Sequence, residues 1–307
     1  MSMGTALATV GNVNVDLIMG PVTPWPKTGS EVICPNNELR VGGAAGNVAL
    51  AWQAMGLDFQ CAANTGSDHF GDWLRSNFGT IAAGWPRCSE NTTVSVGVTH
   101  PDDERTFLTT TGHLPKLGWS EVDAQIDWEH LRGGTLVLCG SFLTERLSAE
   151  YDHLFDRADR ADVTVALDTG WPIAGWTQEV RERALNWVAR SGIVLLNAVE
   201  ATCLTDTNTP EQALVALSDL LKSDGVAVIK LGPEGAIARK NGQTFRASAP
   251  KVPVKDTIGA GDVFNAAFSA ALSQGSILQK ALEQAVATAS LAISSSPRRY
   301  IPEEVTV

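Results

Sequence analysis

The segment Asp256-Thr257-Ile258-Gly259-Ala260-Gly261-Asp262 runs straight into an apolar helical stretch from Val263, and it holds the residue types that phosphoryl chemistry needs. Small residues let the backbone come close to a ligand, and the first N–H groups of a helix have no intrahelical partner. Gly259, Ala260 and Gly261 can therefore donate to an anion, with phosphate as the natural guest. Asp262 would stand at the helix start beside a transferring phosphoryl group, placed to accept the proton of an attacking hydroxyl. The same residues also fit a plainer reading, with Asp262 as an N-cap and the glycines as a turn. Other chemistries find less support. His69, His100, His113, His130 and His153 lack metal-ligand spacing and read as surface or structural residues. No G-x-S-x-G elbow accompanies a Ser/His/Asp order, and G-x-x-x-x-G-K-[ST] is absent.

Such a loop works only if a rigid scaffold carries it. Short β-rich runs at Leu7–Gly11, Gln60–Asn64, Thr135–Gly140, Val163–Asp168, Ile193–Asn197 and Val226–Leu231 alternate with helical patterns. The helical patterns are Ala44–Met55, Phe70–Phe78, Ala149–Arg160, Gln178–Ala189, Pro210–Lys222, Asp262–Gln274 and Ile277–Ser294. This alternation predicts an α/β fold, a doubly wound, mostly parallel sheet with helices on both faces. Small residues in the last two helices, such as Ala266, Ala270, Ala285 and Ala289, fit close helix packing or close approach of a ligand. Two stretches break the rhythm: about 16–40, extended and punctuated by Pro21, Pro24, Pro26 and Gly29, and about 92–111, a hairpin turning at Pro101–Glu104. If they pair, they make a small β-sheet lid beside the carboxyl-end crevice where open α/β sheets bind ligands. Two surface excursions without function are the alternative.

A chain of 307 residues suits two domains or one α/β domain with an insertion, and the reading adopted is a single domain over 1–307 with the lid inserted. With 34 acidic against 23 basic residues the net charge is −11, which gives no footprint for nucleic acid or an anionic membrane, although local backbone dipoles can still hold phosphate. Five scattered cysteines without a C-x-x-C pair, no signal-like segment over Met1–Gly11 and no bilayer-length apolar run point to a cytoplasmic protein.

The glycine-rich segment resembles the second signature of the PfkB (ribokinase-like) family of carbohydrate and nucleoside kinases, which reads approximately D-T-x-G-A-G-D. Gly42-Gly43-Ala44-Ala45-Gly46-Asn47 is similar to the family's first signature and Asn197-Ala198-Val199-Glu200 to its N-x-x-E motif. Gly11-Asn12-Val13-Asn14-Val15-Asp16 resembles the opening strand and substrate loop, and Lys230-Leu231-Gly232 the strand end on the nucleotide side. The matches occur in order from Leu7 to about Ser295. They imply a ribokinase-like fold and ATP-dependent phosphorylation of a primary hydroxyl on a small sugar or sugar derivative.

In that resemblance Asp262 is the catalytic base, with Gly259, Ala260 and Gly261 as anion-hole donors. Asn14, Asp16, Gly42, Gly43 and Asn47 form the sugar wall, since a carboxylate can accept from two adjacent hydroxyls. Asn197 and Glu200 hold the triphosphate and Mg²⁺, Glu200 through water. Lys230 and Gly232 border the nucleotide, and adenine lies against Val286 and Ser290. Read alone, Asp16 is equally an exposed strand-end carboxylate, Asn197 and Glu200 a strand-end turn with a solvated acid, and the adenine-side residues plain core. In potassium-activated members K⁺ would sit at Asp256 and Ile258, but Ser294–Tyr300 departs from the usual partner segment. Lys is replaced by Ala44 in the first signature. Cys139-Gly140-Ser141-Phe142 stands where ribokinases carry a ribose-contacting carboxylate, which weakens ribose as the expected substrate; Glu145 comes several residues late. A nucleoside kinase of the same family and a non-catalytic sugar- or nucleotide-binding regulator are the alternatives. Trp25, Phe107 and Phe142 are candidate platforms for a sugar or a base. A homodimer pairing through the lid is expected.

Overall fold

The computed structural model of the chain describes residues 5–101 and 104–301. Of the expected Pro101–Glu104 turn, Asp102 and Asp103 lie outside the described residues, as do Met1–Gly4 of the N-terminal stretch.

Three runs, TVALD, IVLLN and VAVIK, share one pattern: an unbroken apolar stretch closed by a single polar residue. Continuous apolarity suits strands covered on both faces, and these are the central strands of the large sheet. That sheet contains β1 (Leu7–Val10), β4 (Gln60–Ala62), β9 (Thr135–Cys139), β10 (Thr164–Asp168), β11 (Ile193–Asn197), β12 (Val226–Lys230), β13 (Ala236–Lys240) and β14 (Gln243–Ala247). Its spatial order is β14-β13-β12-β11-β10-β9-β1-β4. It is parallel from β4 to β12 and antiparallel through β13 and β14. Because neighbouring strands run parallel, the closing residues Asp168, Asn197 and Lys230 come to one edge.

The period-two alternation feeds two cores. Leu136 and Leu138 join one apolar cluster with Leu154, Phe155 and Trp187, while Val137 and Cys139 join the other with Trp52, Phe264 and Phe268. Helices thus cover both faces, the doubly wound arrangement expected from sequence. Removing a fully buried side chain such as Leu138 would cost about 2–5 kcal/mol through lost burial and the cavity left behind. The second core also holds the helix Ala44–Ala54 against Ala260–Ser273, with Trp52 Nε1 donating to Ala266 O at 2.9 Å. The small side chains Ala266, Ala267, Ala270, Ala271, Ala281 and Ala285 are buried there, as close helix packing requires.

The two stretches that break the βα rhythm leave the main sheet and pair. β2 (Asn14–Gly20), β3 (Asn36–Gly42), β7 (Val94–Thr99) and β8 (Arg105–Thr109) form a four-stranded sheet in the order β3-β2-β7-β8, and β5 (Thr65–Gly66) pairs with β6 (Arg87–Cys88) nearby. Buried His113 ties its root: Nδ1 accepts from Thr93 N–H at 2.9 Å, so Nε2 must carry the proton that goes to Val13 O at 3.1 Å. Burial pushes the pKa of His113 down to about 4, which keeps that tautomer neutral.

Several elements differ from the sequence expectation. The helix expected over Ala149–Arg160 is broken at Glu150 into Glu145–Ala149 and Tyr151–Arg160. Helices at Trp119–Gln125 and Ala198–Thr205 and the β13–β14 hairpin were not expected. The helix from Ala198 follows β11 without a loop, so it reads as the tail of an apolar run. Its start was nonetheless legible as a capping signature, Asn197 followed three residues later by Glu200.

Candidate active site

Asp168, at the end of β10, and Lys230, at the end of β12, meet across the edge of β11. Lys230 Nζ donates to Asp168 Oδ2 at 2.8 Å and to Asn265 Oδ1 at 3.2 Å, and Asn265 Nδ2 donates to the same Asp168 oxygen at 2.6 Å. Burial works to lower the pKa of Lys230, but Asp168 and Glu200 outweigh it and hold the lysine charged. Glu200 is buried beside them rather than solvated. The cause is a reciprocal cap: Asn197 Oδ1 accepts from Glu200 N–H at 2.8 Å, and Glu200 Oε2 accepts from Asn197 N–H at 2.9 Å. Burial, then the charge of Asp168, push Glu200 up to about 7. Two buried carboxylates, one of them held partly protonated, share this corner with one ammonium, and a divalent cation there would favour the ionised form of Glu200.

The helix Ala260–Ser273 opens on the other side of the same corner. Its N-cap is Gly259, at φ 73° and without a side-chain cap. A Cβ there would stand 2.8 Å from Asn47 Nδ2, so both the backbone and the close approach call for glycine. Of the expected donors, Ala260 turns its N–H back to Thr257 O at 3.1 Å. Gly261 and Asp262 have no backbone N–H partner among the described residues. Asp262 is therefore not the N-cap. It is the third helical residue, and its Oδ2 accepts from Asn47 Nδ2 at 2.8 Å. Burial first, then the charge of Asp168, raise its pKa to about 7, with Asn47 and Lys230 acting the other way. A carboxylate poised near neutral pH beside two unpartnered N–H groups can take a proton next to a bound anion.

A cavity of about 580 Å³ adjoins this loop. Lys230, Gly232, Gly261, Val286 and Ser290 are among its walls, so it joins the expected nucleotide-side residues. Ser290 spends its hydroxyl on Val286 O, so its face toward the cavity is apolar in effect. A larger groove of about 960 Å³ lies between Asp68 and Lys116, and no residue of the Asp262 corner lines it. The smaller cavity is the one that geometry connects to the glycine loop.

On the small sheet, Asn14 Nδ2 donates to Asp16 Oδ1 at 2.8 Å, and both residues are buried. Burial pushes Asp16 up to about 6 despite the nearby Arg40. Gly42 leaves room for that carboxylate, since a Cβ would lie 2.1 Å from Asp16 Cγ. Gly43 is the N-cap of the helix that carries Asn47, so the residues expected on the sugar side reach Asp262 through one short element. Asp256 accepts from Arg40 Nη1 at 2.5 Å, from Arg298 Nη2 at 2.8 Å and from Ile258 N–H at 2.9 Å. The carboxylate expected to serve K⁺ is thus already engaged by two guanidinium groups.

Asp168, Asn265, Arg40, Arg105 and Arg298 were not singled out from sequence, because no local spacing marks them and only the fold brings them together. Phe142 must be corrected as a platform: it is buried in the core, 5.7 Å from the ring centres of both Trp176 and Trp187. Trp25 is exposed, 5.7 Å from the ring of His100, and Phe107 is exposed on β8.

These features are an open helix start, buried carboxylates and a lysine at one edge of a parallel α/β sheet, an arrangement that can hold an anion, and similarity to known proteins supplies the family. The model of the pfkB family carbohydrate kinases matches residues 5–303, and the chain belongs to that family. It is 24% identical over 304 residues to the ATP-dependent 6-phosphofructokinase of Thermoanaerobacterium thermosaccharolyticum, covering 95% of this chain and 88% of that one. It is 26% identical over 299 residues to the ribokinase of Arabidopsis thaliana, covering 94% and 76%. The adenosine kinase structure from Sinorhizobium meliloti superposes with a TM-score of 0.81 at 20% identity, over 97% of both chains, a likeness of fold. The chain is an ATP-dependent carbohydrate kinase with a ribokinase-like fold. No helix among the described residues is long and apolar enough to cross a membrane.

Proposed function

We propose that the chain transfers the γ-phosphoryl group of ATP to a hydroxyl of a small sugar or sugar derivative, with Asp262 as general base. The observation that carries this reading is the meeting of Asp262, its pKa near neutrality, with the open helix start at Gly261. Asn47 donates to Oδ2 and so fixes the carboxylate, leaving Oδ1 to take the acceptor's proton. The N–H groups of Gly261 and Asp262, with Lys230, face the charge that builds on the transferring group. The nucleotide lies in the 580 Å³ cavity against Val286 and Ser290, bordered by Gly232. Asp168 and Glu200 fit Mg²⁺, which when bound shields the phosphate oxygens, and Asn197 positions Glu200 for it. Asn14 and Asp16 hold sugar hydroxyls. Asp256 and Ile258 need no K⁺ in this reading, because Arg40 and Arg298 already balance the carboxylate.

The small sheet acts as a lid inserted in a single kinase domain, its roots held by His113. Its outward row Leu39, Leu17, Val96 and Leu108 crosses all four strands, with Leu39 and Leu108 exposed, and gives the expected homodimer an apolar face.

The test is Asp262→Asn. Its kcat should fall about 10²–10⁴-fold with acceptor binding retained, because only the proton's destination is lost. The wild-type kcat/KM profile should lose activity below about pH 7 as Asp262 becomes protonated. Near-wild-type turnover in the variant would remove Asp262 from this role.

A further inference from the structure

Three guanidinium groups converge on one carboxylate at the lid side of the crevice. Arg40 on β3 and Arg298 beyond the last helix share Asp256 Oδ2, at 2.5 and 2.8 Å, and Arg105 at the start of β8 reaches Oδ1 at 3.9 Å. The three side chains are only 18, 17 and 20% exposed. A carboxylate accepts about four hydrogen bonds, and one site here is taken by Ile258 N–H, whereas each guanidinium carries five donors. Supply exceeds demand. Arg40 Nη2 is buried with no hydrogen-bond partner among the described residues, a condition that costs free energy.

The cluster adjoins the residues expected to hold the sugar. Arg40 is the cross-strand neighbour of Asp16, so both stand on the same face of the small sheet. Arg298 Nη1 lies 3.4 Å from the point where a Cβ on Gly259 would stand, and Asn47 Nδ2 lies 2.8 Å from that point. The cluster therefore borders the sugar-hydroxyl residues on one side and the start of the Asp262 helix on the other. A structural ion pair needs one arginine. Beside Asp256, only the exposed Glu38 carboxylate, 3.9 Å from Arg40 Nη1, and Asp16 across the strand pair offset the three guanidinium groups, so a further anion can be accommodated in this partly desolvated site.

We propose that the acceptor sugar carries an anionic oxygen group, a carboxylate or a phosphate, which Arg40, Arg105 and Arg298 grip while its free hydroxyl faces Asp262. Planar guanidinium groups match both anions in a bidentate manner, and a neutral sugar leaves them unfilled. This rests on the kinase reading above and names its substrate class.

Matched acceptors test it: glucose, gluconate and glucose 6-phosphate, then fructose, 2-keto-3-deoxygluconate and fructose 6-phosphate, each with ATP and Mg²⁺. At least one charged member should exceed its neutral counterpart in kcat/KM by about tenfold or more. The acid and phosphate arms show which anion is native. Arg105→Gln, whose ion pair is long, should raise KM for that acceptor about tenfold while Tm and KM for ATP hold. Equal kcat/KM for charged and neutral acceptors, or a rise confined to KM for ATP, overturns the anionic acceptor and leaves the kinase standing. Absence of transfer to every one of these acceptors overturns the small-sugar acceptor of the proposed function as well.

Discussion

Two helices start at the crevice, and each carries an acid as its third residue, Glu200 in one and Asp262 in the other. Burial lifts both acids to about 7. Their caps differ. The first helix is preceded by Asn197, whose side chain and that of Glu200 close each other's N–H groups. The second is preceded by Gly259, which has no side chain to reciprocate, so Asp262 turns to Asn47 and the N–H groups of Gly261 and Asp262 stay open. A capped end is closed by the protein's own groups, whereas the end at Gly259 leaves two N–H groups that water or an anionic ligand can take. The first helix should therefore answer to mutation chiefly in stability and cation use, and the second chiefly in turnover.

The largest effect should come from closing the open end. Gly259→Val places a branched side chain at φ 73° with its Cβ against Asn47, which also orients Asp262. Backbone strain and a displaced base act together, and kcat should fall by at least about 10²-fold. Steady-state kinetics beside a thermal melt checks it. Turnover within a few-fold of wild type would mean that the open end is not where transfer occurs.

Glu200→Gln should have a smaller and different effect. Glutamine can still accept from Asn197 N–H, so the cap survives, but the negative charge is gone and the Mg²⁺ needed for half-maximal rate should rise about tenfold. Stability gives an independent check. Because the folded pKa of Glu200 lies near 7, above its ordinary value of 4.5, the folded state holds its proton more tightly, and stability is lost as pH rises through that window. The variant escapes that loss, so its Tm relative to wild type should climb between pH 5 and pH 8. A difference independent of pH would remove the raised pKa from the account.

How much of this was legible in the sequence follows from the range of the interactions. Strands such as Ile193–Asn197 announce themselves by continuous apolarity, and the open helix start by its glycines, because both depend on neighbours along the chain. Asp168 carries no such mark: it matters because Lys230, 62 residues away, and Asn265, 97 residues away, meet it at the sheet edge. Arg40 and Arg298 likewise become a pair only through Asp256. The helix from Ala198 is hidden in the sequence because it continues an apolar strand without a turn. Phe142 is ambiguous in the sequence, because an aromatic after a strand end looks the same whether the chain then rises to solvent or, as here, dives into the core.

The smallest effect sharpens the comparison most. Asn197→Ala removes the side-chain acceptor for Glu200 N–H and frees the glutamate from its reciprocal bond. A lost N-cap costs about 1 kcal/mol, which in a domain of this size lowers Tm by about 1–3 °C. If Asn197 acts on chemistry only by positioning Glu200, kcat should stay within about threefold at saturating Mg²⁺, with the cost appearing as a modestly raised Mg²⁺ requirement. Asn197→Asp, which keeps the acceptor, should restore Tm. A tenfold loss of kcat at unchanged Tm would show instead that the amide touches the nucleotide itself, and the capped helix would then share the catalytic work assigned here to the open one.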